Sequence, residues 1–157
     1  MQFVDAFPRT SDGKVHLLPE ELEREAPGGL YAYRPDPATA QFPLALISPA
    51  TDRTISSTLG ELHRSPVPLE LHPDDAAARG IADGAPIRVY NGLGEVRCRA
   101  RLNPGLKGGV VLLPKGIWTH NTDNGTTATA LAPDTLTDIA GGACFNDARV
   151  EVERAPA

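Results

Sequence analysis

The chain has 157 residues, 41% of them hydrophobic and 22% charged, enough for one domain with a real core plus a flanking segment. Its formal net charge of −5 disfavours nucleic acid and anionic membrane as partners, although local amides and a few arginines can still hold a small anion. Two cysteines outside any C-x-x-C argue against a disulfide framework, a zinc knuckle or an iron–sulfur cluster, and the absence of a long apolar run or a basic-then-apolar leader leads us to expect a soluble, cytoplasmic protein.

Fifteen glycines and fifteen prolines, spread along the chain, predict many short strands and turns rather than long helices. Residues 1–26 predict a strand or two and a short acidic helical turn, with Ser11-Asp12-Gly13 as a hairpin turn ahead of Val15, Leu17 and Leu18. Four prolines break 27–43 into a linker. We therefore divide the chain into a connecting segment, 1–42, and a compact domain, 43–157, that opens with the buried-strand pattern "PLALIS".

The stretch "HPDDAAARGIADGAPIRVYNGLGEVRCRARL" (72–102) is the best specified. Pro73 suits a first helical position, Asp74 and Asp75 complement the helix dipole, and three alanines carry one or two turns. Gly80 suits a left-handed C-terminal position with Ile81 as the apolar residue after it. Asp83-Gly84 makes a tight turn. Asn91-Gly92-Leu93-Gly94 is a hairpin loop between alternating strands, the second of which puts Val96, Cys98, Ala100 and Leu102 on one face and Arg97, Arg99 and Arg101 on the other. "VVLLP" (110–114) is a short apolar strand, 119–143 reads as loops with at most one short helix, and "ARVEVER" (148–154) is a closing strand. The sum is a small β-barrel with a few helical turns.

Familiar catalytic signatures are missing. The four histidines, at 16, 63, 72 and 120, fall in no metal-ligand spacing, and Ser48, Ser56, Ser57 and Ser65 sit in no nucleophile elbow. Cys98 falls on the apolar face of its strand and reads as a core residue. The G-x-G of "YNGLGEVR" lies in a hairpin, not at a strand-to-helix turn, so it is no dinucleotide fingerprint. Two polar stretches remain. "SPATDRTISSTLGEL" (48–62) crowds hydroxyl residues around Arg53 after an apolar strand, which suits phosphate or ribose contacts but equally an ordinary capping segment. The loop-rich 113–146 holds the only tryptophan with His120, Asn121, Asn124, Asp134 and Phe145. It suits a flat heterocycle needing a stacking face and edge hydrogen bonds, or else a structural loop anchored by Trp118.

Together these stretches resemble the C-terminal domain of the dimethyl sulfoxide reductase family of molybdopterin oxidoreductases, which includes formate dehydrogenases and nitrate reductases. The resemblance spans about 43–154. It is carried by Pro73, Asp75-Ala76, Gly80-Ile81, Asp83-Gly84 and the run Gly109-Val110-Val111 through Pro114 and Gly116. The helix–Gly-Asp–hairpin core is shared with the wider double-psi barrel group, and the flanking loops single out the molybdopterin family. A mainly β fold is implied: a six-stranded double-psi β-barrel, aspartate decarboxylase-like, with short helices.

The resemblance also implies a cofactor, molybdopterin guanine dinucleotide, with molybdenum or tungsten ligated elsewhere. It points to two contact regions. In the polar loop 48–58 the residues are Ser48, Arg53, Thr54, Ser56 and Ser57; Thr54, Ile55 and Ser56 replace the aromatic and histidine residues of some members, so backbone and hydroxyl contacts are expected. Towards the C-terminus they are Trp118, Asn124, Asp134, Thr137, Phe145 and Asn146, where Asp134 stands in place of the usual Asn and Asn146 where Lys is common. Active members are several times longer, so a cofactor-binding domain or split subunit is expected, without metal ligand or activity of its own and partnered by the rest of the enzyme. The alternatives are a stand-alone barrel, either a decarboxylase-like enzyme or an interaction module. The decarboxylase type needs a self-cleaving Gly-Ser, and the sequence contains none.

Overall fold

Alternating side chains in 86–102 form a hairpin in the computed structural model, which describes residues 4–17, 20–25, 39–52, 57–136, 141–144 and 146–156. The chain divides into two compact units, 1–37 and 38–157. In the first, Gly13 donates its amide to the Thr10 carbonyl at 3.1 Å, closing the expected turn, and the Asp12 carboxylate accepts the Lys14 amide and pairs with His16. The strands expected around that turn are not formed among the described residues, where Val15 and Leu17 are exposed. The acidic turn is a helix, α1 (Glu20–Glu25), with glutamates at its positive N-terminal end.

The second unit is built on six strands: β1 (Leu44–Ile47), β2 (Leu69–Leu71), β3 (Pro86–Tyr90), β4 (Glu95–Leu102), β5 (Val110–Leu112) and β6 (Arg149–Arg154). They close into one barrel in the order β1-β5-β2-β4-β3-β6. Two neighbouring pairs are parallel, β1 with β5 and β2 with β4, and the rest antiparallel. This is the six-stranded double-psi barrel expected above, mainly β with a few short helices.

The alternation decides which faces turn inward. Leu44, Leu46, Leu69, Leu71, Ile87, Val89, Val96, Val111, Val150 and Val152 are all essentially inaccessible and fill the interior with Cys98. Each such aliphatic side chain contributes about 1.5–3 kcal/mol by its burial. Outside, Arg88 bridges Glu95 and Glu153, and Arg97 pairs with Glu95, at partly exposed sites where an ion pair contributes roughly 1 kcal/mol at most. The interior alternation, rather than the outer charge lattice, therefore fixes the barrel.

Family-motif residues hold the barrel's corners. Helix α2 (Pro73–Ala77) is capped by His72, whose Nδ1 accepts the Asp74 amide. It ends in a Schellman arrangement: Ile81 donates to the Ala76 carbonyl and Gly80 to that of Ala77, with Gly80 at φ +62°. Asp75 Oδ2 accepts the Gly109 amide, and Asp83 Oδ1 accepts the Leu102 amide at the end of β4. In the hairpin, Gly92 does not take the left-handed conformation of a two-residue turn. Instead Asn91 Oδ1 accepts the amides of Leu93 and Gly94, making a four-residue loop.

Strand β4 outruns β2, which pairs only with 100–102. Residues 123–126 cover the edge left over. Asp123 donates its amide to the Arg97 carbonyl at 2.8 Å, Asn124 Oδ1 accepts the Arg97 amide at 2.9 Å, and the Thr126 hydroxyl donates to the Glu95 carbonyl at 2.6 Å. An exposed strand edge is thereby satisfied by a loop.

Candidate functional site

The parallel pair β1–β5 runs past its strands: Leu113 donates to the Ile47 carbonyl at 3.1 Å and Lys115 to the Pro49 carbonyl at 3.0 Å. Ser48 and 114–116 therefore leave the barrel side by side. Asn146 crosses to them, its Oδ1 accepting the Ser48 amide at 3.2 Å. Facing them is the segment 127–132, whose 3-10 turn Ala128–Ala130 is seated by the buried side chains of Ala128 and Leu131. Asn91 Nδ2 holds that segment by donating to the Leu131 carbonyl at 2.9 Å. The hairpin comes so close that a Cβ on Gly94 would lie 2.8 Å from the Ala130 carbonyl oxygen.

Between these walls lies a cleft of about 280 Å³. Ser48, Lys115, Thr127, Thr129 and Asn146 supply its polar groups, and Pro114, Ala128 and Ala132 its apolar surface, with Gly116 at φ +76° on the rim. Lys115 is the only charged residue among the described lining, and its ammonium forms no ion pair among the described residues. A lone cation among hydroxyls and an amide suits a phosphate or the oxygens of a nucleoside.

On the other side of Pro114 is a second cleft of about 460 Å³, lined by Asp52, His63, Glu70, Arg101 and Asn121 among others. Its charges are of both signs, and Arg101 lies 3.5 Å from Glu70. Asn121 is the one buried polar residue described. Its Oδ1 accepts the Trp118 amide at 2.8 Å, its Nδ2 donates to the carbonyls of His63 and Ser65, and its own carbonyl accepts the Val67 amide. Trp118 donates Nε1 to the Ser57 carbonyl, and its indole lies so close to Gly60 that any Cβ there would overlap the ring. Trp118 and Asn121 thus lock the C-terminal loop onto 57–67.

Of the residues singled out in the sequence, Ser48 and Asn146 meet in the first cleft, and Ser57 and Trp118 meet each other beside Gly60. Asn124 lies against β4 rather than in the cleft lining, and Asp134 is exposed. Arg53, Thr54, Ser56, Thr137 and Phe145 lie outside the described residues. Sequence reasoning passed over Lys115, Thr127 and Thr129. Lys115 had a signal: it stands between Pro114 and Gly116, two positions that carry the family resemblance. Asn121 was noticed only as one polar residue in a long loop, because the carbonyls that take its amide, those of His63 and Ser65, are 58 and 56 residues away.

Cys98 is a core residue. Burial pushes its thiol up to about 12, well out of the range of a reactive cysteine. Among the described residues no cluster of three or more His, Cys, Asp or Glu is placed to hold a metal ion, and no helix is long and apolar enough to cross a membrane.

A family model described as "Molydopterin dinucleotide binding domain" matches residues 44–149. The chain is 30% identical over 151 residues to "Probable oxidoreductase YoaE" of Bacillus subtilis (strain 168), covering 92% of this chain and 22% of that protein. It is 29% identical over 134 residues to the dimethyl sulfoxide reductase DmsA of Escherichia coli (strain K12), covering 80% of this chain and 16% of that one. Among solved structures, acetylene hydratase from Pelobacter acetylenicus superposes with a TM-score of 0.70 at 19% identity over 93% of this chain and 24% of that chain, a likeness of fold. The chain spans less than a quarter of the length of these relatives.

Proposed function

Since the chain belongs to the molybdopterin dinucleotide binding domain family found in dimethyl sulfoxide reductase-type enzymes, we propose that its first cleft holds the nucleotide end of a molybdopterin guanine dinucleotide. The observation that carries this reading is the convergence of Ser48, Asn146 and Lys115, which has no ion-pair partner among the described residues, at the shared end of β1 and β5. Lys115 would meet phosphate as a point charge, while Ser48, Thr127, Thr129 and Asn146 would offer hydroxyl and amide partners to phosphate and nucleoside oxygens. The donor set fits such a group. When bound, the cofactor supplies the redox-active metal, molybdenum or tungsten, whose ligand belongs to another part of the enzyme.

Arg53, Thr54, Ser56 and Ser57 belong to the loop that continues from Ser48 and would extend the phosphate and nucleoside contacts. Trp118, Asn124, Asp134, Thr137 and Phe145 belong to the C-terminal region we assign to the pterin side, although Asn124 itself holds the loop that leads into Thr127 and Thr129 of the first cleft. The cleft's size bears on how much of the ligand it takes. Sites enclosing a whole drug-sized ligand measure about 300–1,000 Å³, and this one, at about 280 Å³, is at the bottom of that range, while a pterin dinucleotide is larger than such a ligand. The rest of the site would come from further domains or a separate subunit, and redox chemistry would require them. This chain's share is to bind and orient, as a rigid scaffold does for a cofactor that carries the hard chemistry.

Calorimetry with guanosine and cytidine diphosphates tests the reading. A partial pocket predicts weak binding, with Kd on the order of millimolar, and preference for the guanine nucleotide. Tight stoichiometric binding by this chain would contradict the partial pocket, and equal affinity for both bases would contradict the guanine assignment.

A further inference from the structure

The chain contains two Asn-Gly pairs, Asn91-Gly92 and Asn124-Gly125, and glycine leaves the following backbone nitrogen uncrowded. We propose that Asn124 is a site of spontaneous covalent modification, deamidation, and that its conversion to isoaspartate releases the wall of the first cleft. The Gly125 nitrogen attacks Asn124 Cγ, the Cγ–Nδ2 bond breaks, and ammonia leaves carrying the Gly125 amide proton. One water molecule then opens the succinimide to aspartate or isoaspartate, so no oxidant or reductant is needed.

The two sites are alike on the carbonyl side and different on the leaving side. At each, a backbone amide donates to Oδ1 at 2.9 Å, from Arg97 to Asn124 and from Leu93 to Asn91, where it can stabilise the developing oxyanion. Asn91 Nδ2, in a partly buried setting, is held by the Leu131 and Arg149 carbonyls at 2.9 and 3.1 Å. Asn124 is exposed, and its Nδ2 makes a single contact, 3.3 Å to the Glu95 carbonyl. The leaving amide is therefore restrained at Asn91 and nearly free at Asn124.

The isoaspartate product cannot keep the clip. An aspartate side chain at 124 still accepts the Arg97 amide and gives up only the 3.3 Å contact to the Glu95 carbonyl, whereas isoaspartate adds a main-chain carbon that breaks the loop's match to β4. That loop leads directly into Thr127, Ala128 and Thr129 of the cleft wall. None of this depends on which ligand the cleft takes.

The test is to age the chain in mildly alkaline buffer, map conversion by peptide mass spectrometry with an isoaspartate assay, and follow hydrogen exchange of the Arg97 and Asp123 amides. Conversion at Asn124 should outpace that at Asn91 roughly tenfold, the rate equivalent of about one net hydrogen bond. The same two amides should exchange faster in the isoaspartate-containing protein and stay protected in an unaged Asn124→Asp variant. Equal conversion at both sites, or conversion at 124 in denaturant but none in the folded chain, would overturn the proposal. So would an isoaspartate-containing protein whose Arg97 and Asp123 amides stay as protected as before.

Discussion

Asp75 on α2 accepts the Gly109 amide at 2.7 Å, and the Gly109 carbonyl accepts the Ala45 amide at 2.9 Å. One carboxylate thereby ties the helix to the turn that sets β5 beside β1, the pair whose ends form the cleft. Asp75→Ala should cost about 1.5–3 kcal/mol, the usual worth of a hydrogen bond to a charged group. Urea unfolding measures it, and an unchanged midpoint would show that the tie holds nothing.

Asn121 offers a sharper stability test because its side chain serves the Trp118 amide and two carbonyls while buried. Asn121→Ala strands those groups at about 1–3 kcal/mol for each one left unsatisfied. It should also free the indole, the only one in the chain, from its seat on Gly60, shifting its emission to the red. Unchanged emission would mean that Trp118 is held without Asn121.

Cys98 makes a prediction in alkali. Burial raises its thiol from the ordinary 9.0 to about 12, so the folded chain keeps a proton that the unfolded chain loses. The sign follows: no effect below pH 9.0, then a loss of stability as pH rises towards 12, with a limiting slope of about 1.4 kcal/mol per pH unit. Cys98→Ala should remove that component of the alkaline decline, and parallel profiles for the two proteins would contradict it. At neutral pH a thiol reagent should label Cys144, which is partly accessible, long before Cys98.

The sequence disclosed what local physics decides. The left-handed Gly80, the apolar Ile81 after it and the alternation of β4 are each set by neighbours within a few residues, and each stands in the structure as read. Barrel closure depends on pairings such as Ala45 with Val110, across 65 positions: the short strands and turns point to a small barrel, and its six-stranded double-psi form rests on the family resemblance. Residues 10–17 show the opposite failure: Val15 and Leu17 have a strand-like pattern but remain exposed, because a strand needs a partner as well as an alternation. In the cleft, Ser48 and Asn146 could be singled out as polar residues in loops, yet nothing local says that they meet 98 residues apart. Lys115 stayed hidden because a lysine after an apolar strand is ordinary until it is seen beside Ser48 and Asn146 with no acidic partner among the described residues.

The most direct measurement is amide and side-chain shift mapping of the isotope-labelled chain during titration with guanosine diphosphate, repeated on Lys115→Glu. A nucleotide-holding cleft predicts shifts at Ser48, Lys115, Gly116, Thr127, Thr129 and Asn146 in the parent chain and their loss in the variant. Saturating nucleotide that leaves those signals in place, or moves those of Asp52, His63 and Arg101 instead, would contradict it.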